Sequence, residues 1–501
     1  MKRKLSLLLA MLMLASTAVS CADSGDGSEE TKAPTTTPSA NTETPEETAD
    51  PNARLDSGLD KADFGSYTFN IFVHNTITND FDAEEITGEP INDAKYQRVV
   101  TVQDTANCVI EDIVVAADNR AGHQPLGISV QAGTNDYDLA CLSAYSSCNA
   151  LVAGYFTNLN NIPNLDLSRE WWDQRAVEEF TFKNAVYQMT GDISIGDNKA
   201  TYCYYFNKNI ATDYQLPDIY EMVDNGTWTI DNFKTLAEKV DVIDTDNDGN
   251  HVNDPDDMYA VYIWDDIMMG IVNASGIRCC TIDDSGNLTL TLFSEKFVDA
   301  FSKFTAYAYN KDVTCAYQRN GYAADYGQIA FRESRALFLL QALSAATEFR
   351  DMEDDFGILP LPKYDENQES YNNSAASWTL SLYSVPKNSF SEEELARTGY
   401  ITQALAYESL YTLTPAYYDQ TLQNKVSRDE DSSRMLDLIF STRAYDFGWY
   451  FEVGNYNEGI MNLLRNYSSD VSSMYKVSEK VANKVLSKIN EKLQDQIDAG
   501  N

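Results

Sequence analysis

Short apolar strands alternate with helices along most of this sequence, and that alternation is what most restricts its fold. The segment from Tyr67 to His74 alternates and then runs apolar, which predicts a buried strand. Residues 92–115 carry apolar side chains at helical spacing before a strand, and residues 138–142 form another short apolar run. Strands of about five residues separated by helices indicate an α/β protein whose sheets are mostly parallel and flanked by helices.

Size and composition set further limits. About 450 residues follow the N-terminal region, more than one hydrophobic core usually supports, so two or more lobes are expected. The 31 Tyr and 6 Trp suit a wet binding surface, because each ring has an apolar face and a polar tip. The formal charge of -40 argues against a nucleic-acid partner, which would need a basic patch. It is compatible with a neutral ligand or with cations.

Residues 1–21 are predicted to form a secretory signal peptide. Lys2, Arg3 and Lys4 precede a short apolar run, which is followed by small residues. That run is shorter than the roughly 20 residues that span a bilayer. The box Ala18-Val19-Ser20-Cys21 resembles the lipobox of bacterial lipoproteins, although the usual box has Leu three residues before the cysteine. The resemblance implies a lipid on Cys21 that anchors the protein to the outer face of the cell membrane; the alternative is an ordinary signal peptide with an incidental cysteine.

Residues 22–53 are predicted to form a disordered acidic linker. They contain Ser, Thr, Pro, Gly, Asp and Glu with almost no apolar residue, so burial cannot offset the entropy lost on ordering. A lipid and such a tether would hold a globular body near the membrane, outside the cytoplasm.

The cysteines and histidines do not indicate catalysis. Apart from Cys21 there are seven cysteines without regular spacing, which is a poor disulfide framework and favours buried thiols. The three histidines are scattered, and the sequence contains no Gly-rich phosphate loop, no Gly-x-Ser-x-Gly and no His-Glu-x-x-His. We therefore predict a binding protein rather than an enzyme.

Several segments carry a family resemblance in consistent order through most of residues 65–490. They are GTNDYDLACLSAY, GYFTNLNNIPNLDLSREWWDQRAVEEFTFKNAVYQMTGDISI, YYFNKNIATDYQLPDIYEMVDNGTWTIDNFKTLAEKV, IAFRESRALFLLQAL and DFGILPLPKYDENQESY. The chain resembles the extracellular solute-binding proteins of ABC importers, in the sugar-binding family. The resemblance implies a two-lobe periplasmic-binding-protein-like fold with a hinge, a carbohydrate ligand, permease subunits as partners and a monomer. Lobe one would comprise residues 54–198 and 372–415, and lobe two residues 199–371 and 416–501.

Candidate ligand contacts lie where strands or crossing segments should meet the cleft. His74 and Asn75 end the first strand, and ligands of open α/β sheets bind outside the carboxyl ends of strands. Tyr145 follows another strand, and Asp192 lies where the chain is expected to leave lobe one. For His74 and Asn75, a plain loop is the alternative.

The aromatic candidates are chosen for sugar stacking. Trp264 offers a ring for sugar C–H faces, and Asp265 offers a carboxylate for hydroxyl groups. Trp378 lies in the return crossing, which borders the cleft in this family, and Tyr445 and Trp449 resemble its late aromatic contacts. Core packing or a helix N-cap is the alternative for Trp264 and Asp265.

A possible calcium loop begins at Asp244. Asp244, Asp246 and Asp248 stand at positions 1, 3 and 5, and Gly249 at position 6, as at the start of an EF-hand loop. The expected position-12 Glu is absent. The predicted ligands of a structural Ca²⁺ are Asp244, Asp246, Asp248, Asn250 and Asp257. The alternative is a solvated acidic turn.

Two other functions stay open at this stage. A surface glycoside hydrolase would need two carboxylates about 5 to 9.5 Å apart, which a sequence cannot show. A polysaccharide-adhesion lipoprotein would bind long chains without closing around them.

Overall fold

The computed structural model describes residues 54–250, 252–320, 323–423 and 430–500. The chain divides into two units, Met1–Leu55 and Asp56–Asn501, and the second contains the elements described below. The predicted signal peptide, Cys21 and the linker lie outside the described residues. Within those residues, no helix combines the length and apolar character needed to cross a membrane.

The strands and helices follow one another in the order expected of an α/β protein. The strands are β1 Tyr67–His74, β2 Cys108–Val115, β3 Leu139–Ser143, β4 Thr181–Phe182, β5 Ala185–Val186, β6 Tyr202–Asn207, β7 Tyr259–Tyr262, β8 Cys280–Ile282, β9 Leu288–Leu290, β10 Thr314–Cys315, β11 Ala336–Ala342, β12 Phe356–Leu359, β13 Asn373–Ser374, β14 Ser381–Ser384 and β15 Arg443–Ala444. The helices are α1 Pro90–Ala106, α2 His123–Ala132, α3 Ala144–Val152, α4 Gln174–Glu179, α5 Gly196–Ala200, α6 Lys208–Asp213, α7 Ile219–Asp224, α8 Ile230–Ala237, α9 Met268–Ala274, α10 Glu295–Ala308, α11 Tyr326–Arg332, α12 Glu392–Tyr411, α13 Leu413–Gln423, α14 Glu430–Ser441, α15 Phe447–Tyr450, α16 Tyr456–Arg465 and α17 Val471–Asp498.

The first sheet has the strand order β14-β3-β1-β2. β1 pairs in parallel with β2 and β3, with Ile71 opposite Leu139, whereas β14 pairs antiparallel with β3. All five residues of β3 are buried, which explains its uninterrupted apolar run. Ser143 ends β3 and its side chain caps α3 by accepting the Ser146 N–H, so this helix begins at Ala144.

The second sheet has the order β10-β7-β11-β6-β12. β7 pairs in parallel with β10 and β11, and β6 pairs antiparallel with β11 and β12. The sheet is therefore mixed. β6 runs opposite to both of its neighbours, β11 and β12. Trp228 is buried beside this sheet, where its indole N–H donates to the Pro360 carbonyl at 2.8 Å.

Three segments pass between the sheets. The first runs through α5 into β6, and the second runs from β12 through β13 to β14. The third runs from α12 and α13 through α14 to β15. It joins the two sheets because α12 and α13 pack on α1, whereas α14 packs on β12. β13 and β15 pair in parallel, and Thr201 forms a bridge with Ala375, so the three crossings contact one another. These contacts build a hinge between the sheets.

Buried side chains fill the space on both faces of the sheets. Trp172 lies in the core of the first sheet, with its indole N–H donating to Gln403 Oε1 at 3.0 Å. All seven cysteines among the described residues are buried free thiols. The vicinal pair Cys279 and Cys280 is held by Asp446, whose carboxylate accepts the backbone N–H of both.

Candidate functional site

A small cavity of about 30 Å³ lies where the carboxyl ends of strands from both sheets meet the hinge. Its wall contains four aromatic side chains, Tyr145, Tyr202, Trp378 and Trp449. Polar groups from the return crossing, from the segment after β7 and from α16 complete it: Asp266, Ser374, Ser377 and Asn457. Such a lining, apolar rings with a few convergent polar groups, is typical of a ligand site.

The four rings differ in what they can offer a ligand. Trp378 is 43% exposed and lies between β13 and β14, so its face is accessible. Trp449, in α15, is buried, and its indole N–H donates to Asn273 Oδ1 at 3.1 Å. Burial raises the pKa of Tyr145, which therefore stays a neutral phenol at physiological pH. Ligand stacking would begin at Trp378.

An ion pair contacts two residues in the wall of this cavity, Tyr145 and Asn457. Arg120, in the loop after β2, donates from Nε to both carboxylate oxygens of Glu452, at 3.0 and 3.1 Å, and from Nη2 at 2.9 Å. The Arg120 guanidinium also lies over the Tyr145 ring, 4.3 Å from its centroid. Glu452 has a left-handed backbone with φ of +50°. The pair joins the first sheet to the segment that carries Trp449.

His74 and Asn75 lie at the carboxyl end of β1 and organise the neighbouring loop. His74 is fully buried, with Nε2 3.1 Å from the Ala117 carbonyl oxygen. Asn75 accepts the Ala117 N–H at 2.9 Å. Both contacts fix the loop that presents Arg120, and neither residue borders the small cavity.

Trp264 and Asp265 lie directly after β7, beside the cavity. The Trp264 ring packs against Tyr317 with centroids 5.2 Å apart, and Asp265 is buried and accepts a hydrogen bond from Arg465 Nε. Burial raises the pKa of Asp265, while the hydrogen bond from Arg465 opposes that rise. The next residue, Asp266, borders the cavity in their place.

Asp192 and Tyr445 border other cavities. Asp192 accepts a hydrogen bond from the Thr414 hydroxyl at 2.6 Å and lines a cavity of about 360 Å³ beside the hinge. The Tyr445 hydroxyl donates to Asp173 at 2.8 Å, and its ring borders a third cavity of about 330 Å³. Of the nine predicted ligand contacts, the structure brings Tyr145, Trp378 and Trp449 together.

Sequence reasoning missed several residues of this site. Arg120 and Asp266 each follow a strand of a sheet, so the rule that selected His74 could also have selected them. Glu452 and Asn457 carry no comparable local signal, because they belong to a helical segment that reaches the site through tertiary packing.

The acidic loop between α8 and β7 brings three of the predicted metal ligands together. One carboxylate oxygen each of Asp244, Asp246 and Asp257 lie within 4.8 Å of one another, and Asp257 is fully buried. Hard carboxylate oxygens at this spacing fit Ca²⁺. The other two predicted ligands make different contacts.

Asp248 and Asn250 lie outside this three-carboxylate cluster and form hydrogen bonds within the loop. Asp248 accepts the Asn250 backbone N–H at 2.6 Å, and the Asn250 side-chain amide donates to Asp254 at 2.7 Å. The geometry therefore favours Asp244, Asp246 and Asp257 as the carboxylates of a metal site.

Comparisons with known proteins define the fold. Neither a protein-family model nor a curated protein sequence matches this chain. Its structure is similar to an ABC substrate-binding protein from Listeria monocytogenes in complex with cycloalternan, with a TM-score of 0.53, 12% identity and coverage of 84% of this chain and 99% of that chain. A cyclo/maltodextrin-binding protein complexed with maltotetraose gives a TM-score of 0.53, 14% identity and coverage of 86% and 97%.

A third similar structure has a different ligand. UgpB from Mycobacterium tuberculosis, in complex with glycerophosphocholine, gives a TM-score of 0.50, 16% identity and coverage of 87% of this chain and 99% of that chain. At these identities the likeness concerns the fold, which is that of the ABC substrate-binding proteins. The predicted two-lobe α/β architecture is confirmed.

Proposed function

We propose that this protein is a lipid-anchored extracellular receptor that captures a mono- or oligosaccharide and delivers it to the permease of an ABC transporter. The observation that carries the proposal is the aromatic cavity at the hinge, to which both sheets contribute. A sugar offers C–H faces to rings such as Trp378 and hydroxyl groups to Asp266, Ser377 and Asn457. Two of the three structures reported above contain carbohydrates, and the third contains glycerophosphocholine, so the ligand class rests on these side chains.

The size of the cavity implies that the lobes move. About 30 Å³ is far below the roughly 300 to 1,000 Å³ of typical ligand pockets. A sugar would therefore enter an open form and be enclosed when the lobes close around the hinge. We place lobe one at residues 54–198 and 372–415 and lobe two at residues 199–371 and 416–501, in a monomer.

The decisive experiment is a calorimetric ligand screen on the purified protein. We expect one sugar class to bind, and X-ray scattering to show a smaller radius of gyration when it does. No release of reducing ends should accompany binding, since we infer capture without turnover. Binding of peptides but of no sugar would contradict the carbohydrate proposal, and sugar hydrolysis would favour a glycoside hydrolase.

The anchor is proposed from the sequence alone. Acylation of Cys21 would place the protein in the membrane fraction, and the Cys21→Ser variant should be recovered in the soluble or secreted fraction. Equal partitioning of both forms would leave an ordinary signal peptide as the better interpretation.

We also propose that Asp244, Asp246 and Asp257 hold a structural Ca²⁺. The buried carboxylate of Asp257 accepts the Thr245 N–H at 3.0 Å, which ties the start of the acidic loop to the strand that leads to Trp264. An ion shared by these carboxylates would strengthen that connection and stabilise the loop.

A further inference from the structure

The helix α17 carries a row of lysines on the side opposite its buried face. Lys476, Lys480, Lys484 and Lys488 recur every four residues, and all four are exposed. Because four residues are slightly more than one helical turn, this lysine row winds slowly around the helix and stays on one side of it. The buried residues of the helix lie on the other side: Val471, Ala482, Leu486, Ile489, Leu493 and Gln496.

Two exposed apolar side chains lie beside the lysine row. Val477 is 82% exposed and Val481 is 59% exposed. They are four residues apart, so they are neighbours on the same side of α17 as the lysines. Positive charge next to an apolar centre is the composition of helices that lie on a membrane surface. A partner of this side of α17 must therefore match both charge and apolar area.

Most of the lysine row has no partner within the protein. In the described part of the chain, Lys480, Lys484 and Lys488 form neither an ion pair nor a side-chain hydrogen bond. Residues 476–488 contain four lysines and one acidic residue, Glu479. The row therefore presents a local excess of positive charge to the solvent.

This positive surface differs from the protein as a whole, whose formal charge is -40. At physiological ionic strength, exposed charges are largely screened from one another beyond about 8 Å. A surface in contact with α17 therefore interacts mainly with the lysine row and only weakly with distant carboxylates. The local charge favours an anionic partner here in spite of the overall charge.

The buried side of α17 is held firmly to the body. The Asn490 side chain forms two hydrogen bonds with the backbone of Leu288 in β9, both of 2.9 Å. Near the end of the helix, Gln496 Nε2 donates to the Leu151 carbonyl at 2.9 Å. These contacts fix the rotation of α17 about its axis, so the lysine row is presented in one direction.

We propose that the exposed side of α17 docks on an anionic membrane surface. The lysine row would contact phosphate headgroups, and Val477 and Val481 would enter the boundary between the headgroups and the acyl chains. A soluble polyanion would pair with the lysines but would gain nothing from the two valines, so the membrane fits the surface better. The proposal relies on the lipid anchor proposed above only to keep a membrane within reach, because the contact itself is formed by α17.

The test uses the mature chain, residues 22–501, prepared without a lipid. It is sedimented with vesicles of equal parts phosphatidylglycerol and phosphatidylcholine, and with vesicles of phosphatidylcholine alone. We expect the protein to bind the mixed vesicles, to stay in solution with phosphatidylcholine, and to be released from the mixed vesicles by high salt. Because no lipid is attached, the result is independent of the Cys21 experiment that tests the anchor.

A triple variant tests the lysine row. Lys480→Gln, Lys484→Gln and Lys488→Gln together should weaken binding to the mixed vesicles on the order of a hundredfold, because each lysine near an anionic surface contributes about fivefold. The matched control changes three exposed lysines outside α17, namely Lys61→Gln, Lys239→Gln and Lys387→Gln. It has the same net charge and should bind like the unchanged chain, so the difference between the two variants locates the contact.

A double variant tests the apolar part of the surface. Val477→Ser with Val481→Ser leaves the charge unchanged and should weaken vesicle binding on the order of tenfold, since less apolar area leaves water. The proposal is wrong if the mixed vesicles do not bind the protein, or if either α17 variant binds them as well as the control does. Binding to poly-L-glutamate but not to the vesicles would also overturn it and would indicate an acidic protein as the partner.

Discussion

Arg120 and Glu452 form an ion pair that contacts Tyr145 and Asn457 in the wall of the aromatic cavity, and the Arg120 guanidinium donates to both oxygens of the Glu452 carboxylate at 2.9 to 3.1 Å. One residue follows a strand of the first sheet, and the other follows the helix that carries Trp449. In the lobe assignment that we propose, Arg120 belongs to lobe one and Glu452 to lobe two, so opening of the lobes would break the pair. The contact would then favour the closed form.

Removing this ion pair should make opening easier. In Glu452→Gln the two-pronged contact is lost, and we expect faster ligand dissociation and a larger radius of gyration without ligand. Because the Arg120 side chain is 49% exposed, the effect should be modest, about 0.2 to 1 kcal/mol, and smaller at high salt. The change in dissociation rate is measured by stopped flow with the sugar that the screen identifies, and Glu238→Gln is the matched surface control. Equal dissociation rates in both variants would show that the pair does not restrain opening.

Two tryptophans of the cavity should respond differently to truncation. Trp378 is 43% exposed, so Trp378→Ala should weaken sugar binding by about 1 to 3 kcal/mol with little change in melting temperature. Trp449 is buried and hydrogen-bonded to Asn273, so Trp449→Ala should also lower the free energy of unfolding, by about 3 to 5 kcal/mol. Calorimetry and urea unfolding separate the two effects. Trp172→Ala, in the first-sheet core, is the control for a loss of stability alone.

The proposed calcium site predicts a sensitivity to chelators. Removing Ca²⁺ with EGTA should lower the melting temperature, because an ion that binds only the folded protein stabilises it. Asp246→Asn should abolish the difference between EGTA and added Ca²⁺. Asp248→Asn is the matched control, since the Asp248 side chain accepts the Asn250 N–H and its carboxylate is not part of the three-carboxylate cluster, and it should keep the difference. A melt that EGTA leaves unchanged would indicate a solvated acidic turn.

Local patterns were sufficient for much of the fold. The strand from Tyr67 to His74 has the predicted ends, because its apolar pattern acts within a few residues. Trp264, predicted to stack on a sugar, lies beyond the end of β7 at Tyr262 and packs on Tyr317 instead. That difference depends on tertiary contacts that a single sequence does not reveal.

The site was less predictable than the fold. Trp378 was found because the crossing segment could be located, and Tyr145 because it follows a strand. Asp192 was selected because it lies where the chain leaves lobe one, but the chain turns there so that its carboxylate meets Thr414 beside the other cavity. Which face of a hinge a residue occupies depends on how three distant segments pack, and spacing along the chain carries no information about that.

The hinge carboxylates should give the protein a distinctive dependence of stability on pH. Burial raises the pKa of Asp192 from 3.8 to about 7 and the pKa of Asp197 to about 6. At a pH between the ordinary aspartate pKa and these raised values, the folded protein keeps protons on both carboxyl groups that the unfolded chain has released. The free energy of unfolding therefore falls as the pH rises through about 4 to 7. Above about pH 7 these two groups cause no further change.

This dependence can be assigned to Asp192 by comparing variants. Asp192→Asn keeps an acceptor for the Thr414 hydroxyl and cannot titrate, so its melting temperature should fall less than that of the natural protein between about pH 5 and 8. Glu238→Gln, which removes an exposed carboxylate, should follow the natural protein. Differential scanning calorimetry at several pH values gives the three curves. Parallel curves for the natural protein and Asp192→Asn would mean that Asp192 titrates near its ordinary pKa and that burial does not keep it protonated.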